Sequence, residues 1–481
     1  MTTTVSADPI ERDTFFINGT WQLPEHEGGV RDVMNCAEET VLARVADGSA
    51  DDVAKAVEAA KGAASSWAKA APAERADALR ALRQALADRQ EEIARLISLE
   101  VGTPTRISQR VQVGLPLAVL DGYVEAIDEF EWERQVGNST VYRTAAGVVG
   151  AITPWNYPLH QLIAKVGAAV AAGCAVVAKP AGEAPLSAFM VAEAFESAGL
   201  PPGLFNVVSG PGPVVGEAIA GHRDIDVVSF TGSTEAGCRV AQLAARQITR
   251  VSLELGGKSA NILLDDADLA RAAKTGVGNA FLNSGQTCSA WTRMLVHRSQ
   301  VDEVLEYAVE ATRKLTLGHP LDPATRLGPL VSANQRESVR GYITQGIEEG
   351  ARLVTGGLDL PPGIDTGYFV APTIFADVTE DMVIANEEIF GPVLVVMAYD
   401  DDEHAVALAN RSQYGLAGGV WSADEDRART VARELRTGQV DLNGGAFNPK
   451  APFGGYKRSG IGREFGVFGI EEFVQTQSIQ S

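Results

Sequence analysis

Cysteine is scarce in this sequence, and the few cysteines are scattered. The 481 residues include four, Cys36, Cys174, Cys238 and Cys288, and none of them belongs to a C-x-x-C pair. This pattern indicates neither a disulfide framework nor a zinc site, and the six histidines do not cluster at metal-ligand spacing. We therefore expect no metal, and we expect the reducing cytoplasm as the compartment.

Basic residues and long apolar runs are lacking as well. The 41 lysines and arginines are outnumbered by 62 aspartates and glutamates, which gives a net charge of −21. Such a charge favours solubility and argues against nucleic acid or an anionic membrane as a partner. The longest apolar stretch, over 166–178, contains two glycines and is too short to span a bilayer. The first residues also lack the basic start and apolar segment of a secretory signal.

The chain is long enough for two or three domains, and its patterning changes along its length. Residues 51–99 predict two helices divided near Pro72. From residue 148, short apolar runs alternate with helical segments, which is typical of a parallel sheet covered on both faces. The predicted strands are 148–152, 175–178, 205–208, 227–230 and 251–253, and the predicted helices are 159–172, 186–198, 213–220 and 235–246.

A second α/β pattern begins after Gly256 and continues to about residue 443, where a glycine-rich loop system follows up to 462. Segments 136–145 and 471–479 both have the character of strands and could pair in an arm used for subunit contact. The predicted fold class is α/β, with a Rossmann-like parallel-sheet domain, a second α/β domain and a small β oligomerisation arm.

Three turns that follow predicted strands carry residues suited to a nucleotide. They are Lys179-Pro180-Ala181-Gly182, Ser209-Gly210-Pro211-Gly212 and Thr231-Gly232-Ser233. Ligands of open parallel sheets bind at such carboxyl ends, where helix N-termini attract phosphate. Neither glycine turn has the G-x-G-x-x-G spacing, and each alone is more typical of a plain turn than of a nucleotide site. Their occurrence in successive βα units, with Lys179 at a neighbouring strand end, predicts a dinucleotide site.

Cys288 and Glu254 are the candidate catalytic pair. Cys288 lies among small polar residues in Asn283-Ser284-Gly285-Gln286-Thr287-Cys288-Ser289, and Glu254 precedes Gly256-Gly257. An accessible thiol and a separate carboxylate are typical of covalent catalysis with a base that resolves the intermediate. On these residues alone, an inert thiol and a surface carboxylate remain an alternative. The other three cysteines are interpreted as core residues.

Taken together, the motifs resemble the aldehyde dehydrogenase superfamily from about Phe16 to the C-terminus. The matching segments, in order, are Thr153-Pro154-Trp155-Asn156-Tyr157-Pro158, Lys179-Pro180, Phe230-Thr231-Gly232-Ser233, Leu253-Glu254-Leu255-Gly256-Gly257-Lys258, Gly285-Gln286-Thr287-Cys288, Glu387-Glu388-Ile389-Phe390-Gly391-Pro392 and Pro452-Phe453-Gly454-Gly455. Because these segments are collinear, the resemblance is highly specific.

The resemblance implies oxidation of an aldehyde to the carboxylic acid with NAD or NADP, in the hydrolytic, nonphosphorylating branch of the family. Cys288 would form a thiohemiacetal and then a thioester. The Asn156 amide and the Cys288 backbone N–H would hold the oxyanion. Glu254 would activate water for hydrolysis, and Glu464 matches a position implicated in relaying the proton.

The resemblance also implies contacts to the cofactor. Lys179 would bond the adenine ribose, Ser233 the pyrophosphate and Glu388 the nicotinamide ribose, with Phe390 near the nicotinamide and Trp155 at the crevice. The full predicted set is Thr153, Pro154, Trp155, Lys179, Gly182, Glu183, Gly212, Gly232, Ser233, Leu255, Glu388 and Phe390.

One departure from the family pattern affects the choice of cofactor. NAD-preferring relatives usually carry Glu where this chain has Gly182, and that carboxylate repels a 2′-phosphate. Its loss makes NADP or dual use plausible, unless Glu183 swings in and restores the preference for NAD.

By alignment, the substrate pocket would involve Tyr157, His160, Ala164, Thr287 and Phe447, and Ala164 would leave room for a larger aldehyde. The implied domains are a cofactor domain of 1–122 and 146–254, a catalytic domain of 255–445, an arm of 123–145 and 466–481, and a returning loop of 446–465. A homodimer or homotetramer is expected.

Two other functions remain as alternatives. A CoA-acylating semialdehyde dehydrogenase commonly lacks the Glu base, so Glu254 argues against that reading. A noncatalytic binding or structural protein that retained the fold is disfavoured by the intact Cys288, Glu254 and Asn156.

Overall fold

The computed structural model of the chain describes residues 8–26 and 28–481. The first residues, on which the expectation about a secretory signal was based, lie outside this range. The strands are β1 (Ile10–Arg12), β2 (Phe15–Ile17), β3 (Thr20–Gln22), β4 (Val30–Asn35), β5 (Thr40–Ala46), β6 (Glu133–Val136), β7 (Ser139–Ala145), β8 (Val148–Ile152), β9 (Ala175–Lys179), β10 (Phe205–Val207), β11 (Val227–Thr231), β12 (Arg250–Glu254), β13 (Ala260–Leu263), β14 (Arg293–His297), β15 (Arg352–Thr355), β16 (Thr373–Ala376), β17 (Val393–Tyr399), β18 (Gly418–Trp421), β19 (Asp441–Leu442), β20 (Gly460–Ile461) and β21 (Val474–Gln480).

The helices lie between these strands. They are α1 (Ala50–Trp67), α2 (Pro72–Ala87), α3 (Gln90–Val101), α4 (Thr105–Ile107), α5 (Gly114–Glu129), α6 (Pro158–Ala172), α7 (Leu186–Ser197), α8 (Glu217–Ala220), α9 (Thr234–Ala245), α10 (Leu269–Ala280), α11 (Val301–Arg313), α12 (Ala333–Glu348), α13 (Val383–Asn386), α14 (Asp402–Arg411), α15 (Glu425–Glu434) and α16 (Gly466–Glu471). Two π-helical segments, Ser108–Val113 and Gly212–Gly216, precede α5 and α8.

An eight-stranded sheet forms the first layer, in the order β20-β12-β11-β8-β9-β10-β2-β3. Its five central strands are parallel, and every residue of β8, β9 and β11 is buried. Helix α6, which begins at Pro158 and ends at the left-handed Gly173, is buried along its whole length. These apolar runs explain why the sequence pattern is that of a covered parallel sheet, and the α/β prediction is confirmed.

A seven-stranded sheet forms the second layer, in the order β15-β16-β17-β14-β13-β18-β19. It is parallel from β16 to β19, with β15 antiparallel at one edge. A separate three-stranded sheet, β21-β7-β6, joins the C-terminal tail to a hairpin. The predicted pairing of the two distant segments is confirmed, because β21 pairs with β7 from Val474 to Gln480.

Three local predictions are wrong. Residues 51–99 form parts of three helices, α1 to α3, because the chain also breaks between α2 and α3, at Asp88 and Arg89. The helix predicted over 213–220 is π-helical in its first part, Gly212–Gly216, and only then α-helical. Segment 136–145 contributes to two strands, because a turn at Gly137 and Asn138 separates β6 from β7.

Across residues 8–26 and 28–481, no helix combines the length and apolarity needed to cross a membrane.

Candidate functional site

The carboxyl ends of the central strands place the predicted site residues along one edge of the first sheet. β8 and β9 pair so that Ile152 lies opposite Lys179, and β11 and β12 pair so that Thr231 lies opposite Glu254. The loops that follow β8 and β11 therefore start beside one another, above Lys179 and Glu254. In open parallel sheets, ligands bind in the crevice outside this carboxyl edge.

A cavity of about 600 Å³ opens between these loops. Its walls contain most of the predicted cofactor residues, namely Thr153, Pro154, Trp155, Lys179, Gly182, Glu183, Gly212, Gly232 and Ser233. Ser233 caps α9, accepting a hydrogen bond from the Ala236 N–H at 3.3 Å, and the start of that helix lines the cavity at Ser233, Glu235 and Ala236. Burial lowers the pKa of Lys179 to about 8. A helix N-terminus and a buried lysine fit the phosphates and ribose of a dinucleotide.

A second cavity, of about 290 Å³, continues from the first toward the other sheet. Glu254, Leu255, Cys288, Glu388 and Phe390 line it, and Trp155 belongs to the walls of both cavities. The Trp155 and Phe390 rings meet edge to face at 5.3 Å. This arrangement gives a narrow slot with aromatic walls that ends at the thiol.

Glu388 is fixed at the floor of this slot. Its Oε1 accepts a hydrogen bond from the Gly257 N–H at 3.0 Å, and burial raises the pKa of the carboxyl to about 7. A Cβ at Gly256 would lie 1.9 Å from Glu388 Oε2, so this close approach requires glycine. A buried carboxylate with one oxygen already held is suited to accept hydrogen bonds from ribose hydroxyls.

Cys288 follows a strained turn. Asn283 and Ser284 have φ of 52° and 59°, a left-handed conformation that non-glycine residues adopt at a cost of about 1 to 3 kcal/mol each. The turn is held by Ser284, whose hydroxyl donates to the Gly328 carbonyl at 2.8 Å, and by Asn283, whose amide donates to the Asn156 carbonyl at 3.0 Å. The loop thus sets the thiol rigidly at the wall of the slot.

The electrostatic surroundings of Cys288 oppose ionisation. Burial raises the pKa of the thiol, and the nearby carboxylates Glu254 and Glu388 raise it further. A hydrogen bond from the Ser289 N–H acts in the other direction. The thiol is therefore neutral at pH 7 unless positive charge is brought close to it.

Glu254 ends β12 and is 3% exposed. Neither of its oxygens has a hydrogen-bond partner within the described part of the chain. Burial and the charge of Glu464 raise its pKa well above the usual range, while the charge of Lys165 lowers it. A buried carboxyl with free oxygens beside a thiol is placed to exchange a proton with a small molecule such as water.

Lys165 and Glu464 form a buried ion pair next to this carboxyl. Lys165 Nζ lies 2.6 Å from Glu464 Oε1 and also donates to the Thr231 hydroxyl at 2.7 Å. Sequence reasoning missed Lys165. The available signal was a single lysine inside the otherwise apolar run of α6, where a buried charge requires a partner.

Asn156 lies just before α6 and is 3% exposed. Its side-chain amide donates to the Gln286 carbonyl at 3.1 Å, and its backbone carbonyl accepts from Gln112 and Asn283 at 2.8 and 3.0 Å. These bonds tie Asn156 to the loop that carries Cys288. The structure therefore brings Cys288, Glu254, Asn156 and Glu464 into one region.

A third cavity, of about 470 Å³, reaches Cys288 from the opposite side. Tyr157, His160, Thr287 and Phe447 line it, together with Trp291, Phe453 and Phe465. The Tyr157 and Thr287 hydroxyls are 2.7 Å apart. Burial lowers the pKa of His160 to about 4, so its ring is neutral and adds to the largely aromatic wall.

The predicted position of Ala164 in this cavity is wrong. Ala164 is 1% exposed and packs within the core of the first layer, away from the cavity walls. Its carbonyl accepts a hydrogen bond from the Tyr123 hydroxyl at 2.7 Å, because this side of α6 packs on α5. The small residue therefore does not enlarge the pocket.

The remaining cysteines differ from one another. Cys36 and Cys174 are buried, in agreement with the prediction that they are core residues. The same prediction for Cys238 is wrong, because it lies on the solvent side of α9 and is exposed. In the ranges 8–26 and 28–481 there is no group of three or more His, Cys, Asp or Glu that could hold a metal ion.

The chain is similar to known proteins over nearly its whole length. The profile of the Aldehyde dehydrogenase family matches residues 21–479. A 3-succinoylsemialdehyde-pyridine dehydrogenase of a Pseudomonas species is 46% identical over 473 residues, which are 97% of this chain and 98% of the relative.

Solved structures agree with this similarity. A mutant of aldehyde dehydrogenase C from Pseudomonas syringae, in complex with NAD+ and octanal, superimposes with a TM-score of 0.97 at 45% identity, covering 99% of this chain and 98% of the other. An aldehyde dehydrogenase of Mycobacterium tuberculosis in complex with NAD+ gives a TM-score of 0.95 at 42% identity, with coverages of 98% and 99%.

Proposed function

The chain belongs to the aldehyde dehydrogenase family, and from this premise we propose that it oxidises an aldehyde to the carboxylic acid through a thioester on Cys288. The observation that carries the proposal is the position of Cys288 in the walls of two cavities. One contains Glu254 and continues into the cavity of about 600 Å³ beside α9, and the other has aromatic walls. An aldehyde and a nicotinamide can therefore reach one sulfur atom from opposite sides.

Once the thiol proton has passed to solvent, Cys288 Sγ forms a bond to the aldehyde carbon while the carbonyl π bond breaks, and the oxygen takes up the negative charge. The Asn156 side-chain amide and the Cys288 backbone N–H are the donors for this oxyanion. Because Asn156 is held by its bonds to the Cys288 loop, it needs little reorganisation when the charge develops. A dinucleotide bound in the cavity would accept the hydride that leaves the same carbon, and the acyl group would remain on Cys288 as a thioester.

Hydrolysis of the thioester is the task of Glu254. Its carboxylate takes a proton from water, the hydroxide adds to the acyl carbon, and Cys288 leaves as the thiolate. We assign Lys165 and Glu464, which pair with each other and whose charges shift the pKa of Glu254, to carrying the proton away from Glu254. The raised pKa of Glu254 makes it a stronger base once it is ionised.

Within the dinucleotide cavity we assign Lys179 to the adenosine ribose, the α9 start with Gly232 and Ser233 to the pyrophosphate, and Glu388 to the nicotinamide ribose. The cavity walls at these residues support the assignment. NAD+ is bound by the Mycobacterium tuberculosis structure that resembles this chain.

For the substrate we propose aldehydes with a long aliphatic or aryl-bearing tail. The cavity of about 470 Å³, with Tyr157, Trp291, Phe447, Phe453 and Phe465 in its walls, supports such a tail. The Pseudomonas syringae structure contains octanal, and another relative is named for a pyridine-bearing semialdehyde.

The test is reduction of NAD+ or NADP+, followed by absorbance, with aldehydes that range from short aliphatic to long aliphatic, aromatic and charged. We expect turnover with the long or aryl-bearing members, and loss of turnover in Cys288→Ala. Cys238→Ala, which removes an exposed thiol that lines none of the three cavities, should behave as wild type. Full activity of Cys288→Ala contradicts the proposal, and a rate that depends on added CoA replaces it by acyl transfer to CoA.

A further inference from the structure

Arg31, on β4, lies against the glycine at which this chain departs from its NAD-preferring relatives. A Cβ at Gly182 would lie 2.8 Å from Arg31 Cδ, 2.9 Å from Nε and 3.3 Å from Cζ. The arginine therefore occupies the space that a side chain at position 182 would need. Arg31 and Gly182 both line the cavity of about 600 Å³, together with Lys179.

The guanidinium of Arg31 is held on one edge only. Its Nε and Nη2 contact the Asp47 carboxylate at 3.3 and 3.4 Å, which are long distances for a charge-assisted pair. Within the described residues, its Nη1 has no hydrogen-bond partner. The side chain of Arg31 is 38% exposed, so the guanidinium is open to a ligand in the cavity.

Lys179 lies close enough to Arg31 for the charge of the guanidinium to affect the pKa of the lysine. Its pKa is lowered mainly by burial and also by the charge of Arg31, while Glu183 and Asp47 act in the opposite direction. Lys179 Nζ donates to the Pro180 carbonyl at 2.6 Å. Two cations thus converge on the cavity wall at Gly182, and two carboxylates balance them.

We propose that Arg31, together with Lys179, binds the 2′-phosphate of NADP+. The inference deepens the proposed function, since it rests on a dinucleotide lying in this cavity with its adenosine end at Lys179. A guanidinium recognises phosphate through two parallel N–H donors, and the free edge of Arg31 offers such a pair. Gly182 contributes by admitting the arginine and by removing the carboxylate that would repel a phosphate. Arg31 is accordingly a residue that determines cofactor specificity.

The experiment compares two ligands that differ only in the 2′-phosphate, adenosine 2′,5′-bisphosphate and adenosine 5′-phosphate. Their affinities for the purified full-length protein are measured by calorimetry, so the readout does not depend on turnover. We expect wild type to bind the bisphosphate about tenfold more tightly, and Arg31→Gln to abolish that advantage while leaving the affinity for the monophosphate unchanged. Glu183→Gln should increase the advantage, because it removes a carboxylate from the same wall.

Arg239→Gln is the matched control. Arg239 lines the same cavity, but its guanidinium is paired with Glu217 at 2.6 and 2.9 Å. The loss of this cation should change both affinities by the same factor. A selective loss of bisphosphate binding in Arg31→Gln supports the proposal.

Two results overturn it: equal affinity of wild type for the two ligands, or an equal change for both ligands in Arg31→Gln. These results are distinct from a failure of the proposed function. That failure would appear as the absence of aldehyde oxidation with either cofactor, whatever the ratio of the two affinities.

Discussion

Cys288 and Glu254 are both held neutral by their surroundings, although the reaction proposed for them uses their ionised forms. Burial raises both pKa values, and each group is further opposed by neighbouring carboxylates. The charge of Lys165 favours ionisation of Glu254, whereas we expect the charge that favours ionisation of Cys288 to come from a bound ligand. The positive charge of an oxidised nicotinamide in the slot is the natural source for Cys288.

The first prediction concerns alkylation of Cys288 by iodoacetamide in a Cys238→Ser background, which removes the exposed thiol. Because the pKa of Cys288 is raised, the thiolate fraction at pH 7 is smaller than in a free cysteine, and labelling should accelerate as the pH rises above 7. NAD(P)+ should accelerate labelling at a given pH. Labelling that is fast at pH 7 and indifferent to cofactor would contradict this account.

The second prediction concerns Glu254→Gln, which keeps the shape of the side chain and removes the base. Deacylation should slow by about 10²- to 10⁴-fold. A rapid burst of reduced cofactor, one per active site, should then precede slow turnover in stopped-flow absorbance. Glu472→Gln is the control, because Glu472 affects the pKa of Glu254 but lines none of the three cavities. A variant that turns over at the wild-type rate would remove Glu254 from the mechanism.

The role of an individual residue can be predicted from sequence when its neighbours in the chain form a motif, but not when the role depends on residues distant in the chain. Cys288 and Glu254 stand in motifs whose neighbours indicate their chemistry. Lys165 and Arg31 do not stand in such motifs, because their proposed roles depend on contacts with residues that are distant in the sequence. Lys165 meets Glu464 across 299 positions, and Arg31 on β4 meets Gly182 in the loop that follows β9. Short-range sequence periodicity does not predict such long-range contacts.

At the scale of elements, buried parallel strands were predictable because most of their residues are apolar or small, and larger polar residues such as Lys179 and Glu254 stand at strand ends next to the site. The strand predicted over 148–152 has the same first and last residues as β8. The break between α2 and α3 was not predictable, because Asp88 and Arg89 form it without glycine or proline. The π-helical Gly212–Gly216 was missed for a similar reason, since π turns share the composition of α turns.

The third prediction concerns β21, which forms one edge of the small sheet and is exposed at six of its seven positions. Deleting residues 475–481 should lower the oligomeric state, because the exposed strand is the expected subunit contact. Mass from light scattering after size exclusion is the measurement, and circular dichroism checks that the remaining chain is folded. Gln475→Ala is the control, since it keeps the strand. An unchanged mass after the deletion would show that the arm is not the contact.

At the scale of the whole molecule, the net charge of −21 means that like charges repel one another across the surface. The fourth prediction is that the Tm rises when ionic strength increases from about 0.01 M to about 0.15 M, where the Debye length falls from roughly 30 Å to roughly 8 Å. Differential scanning fluorimetry measures the shift. The effect should shrink near the isoelectric point, and a Tm that falls with salt would point to attractive ion pairs as the dominant contribution.

The two layers supply different parts of the proposed reaction. The first sheet carries the dinucleotide cavity and Glu254, while Cys288 follows α10 of the second layer. We propose that the implied cofactor and catalytic domains correspond to these layers. The sequence predicts such a division, because the α/β pattern restarts after Gly256. Sequence alone did not indicate how close the loops of the two layers come.

The meeting of two cavities at one sulfur atom gives each ligand its own entrance. We expect the aldehyde to enter beside Arg110 and Phe447, which are exposed walls of one cavity, and the nucleotide to enter beside Glu183 and Glu235, which are exposed walls of the other. The aldehyde or its acid product can therefore enter or leave without prior release of the nucleotide, and the nucleotide can do so without release of the aldehyde or acid. The carboxylic acid product should therefore escape while the reduced nucleotide is still seated, and it should not compete with the nucleotide for entry.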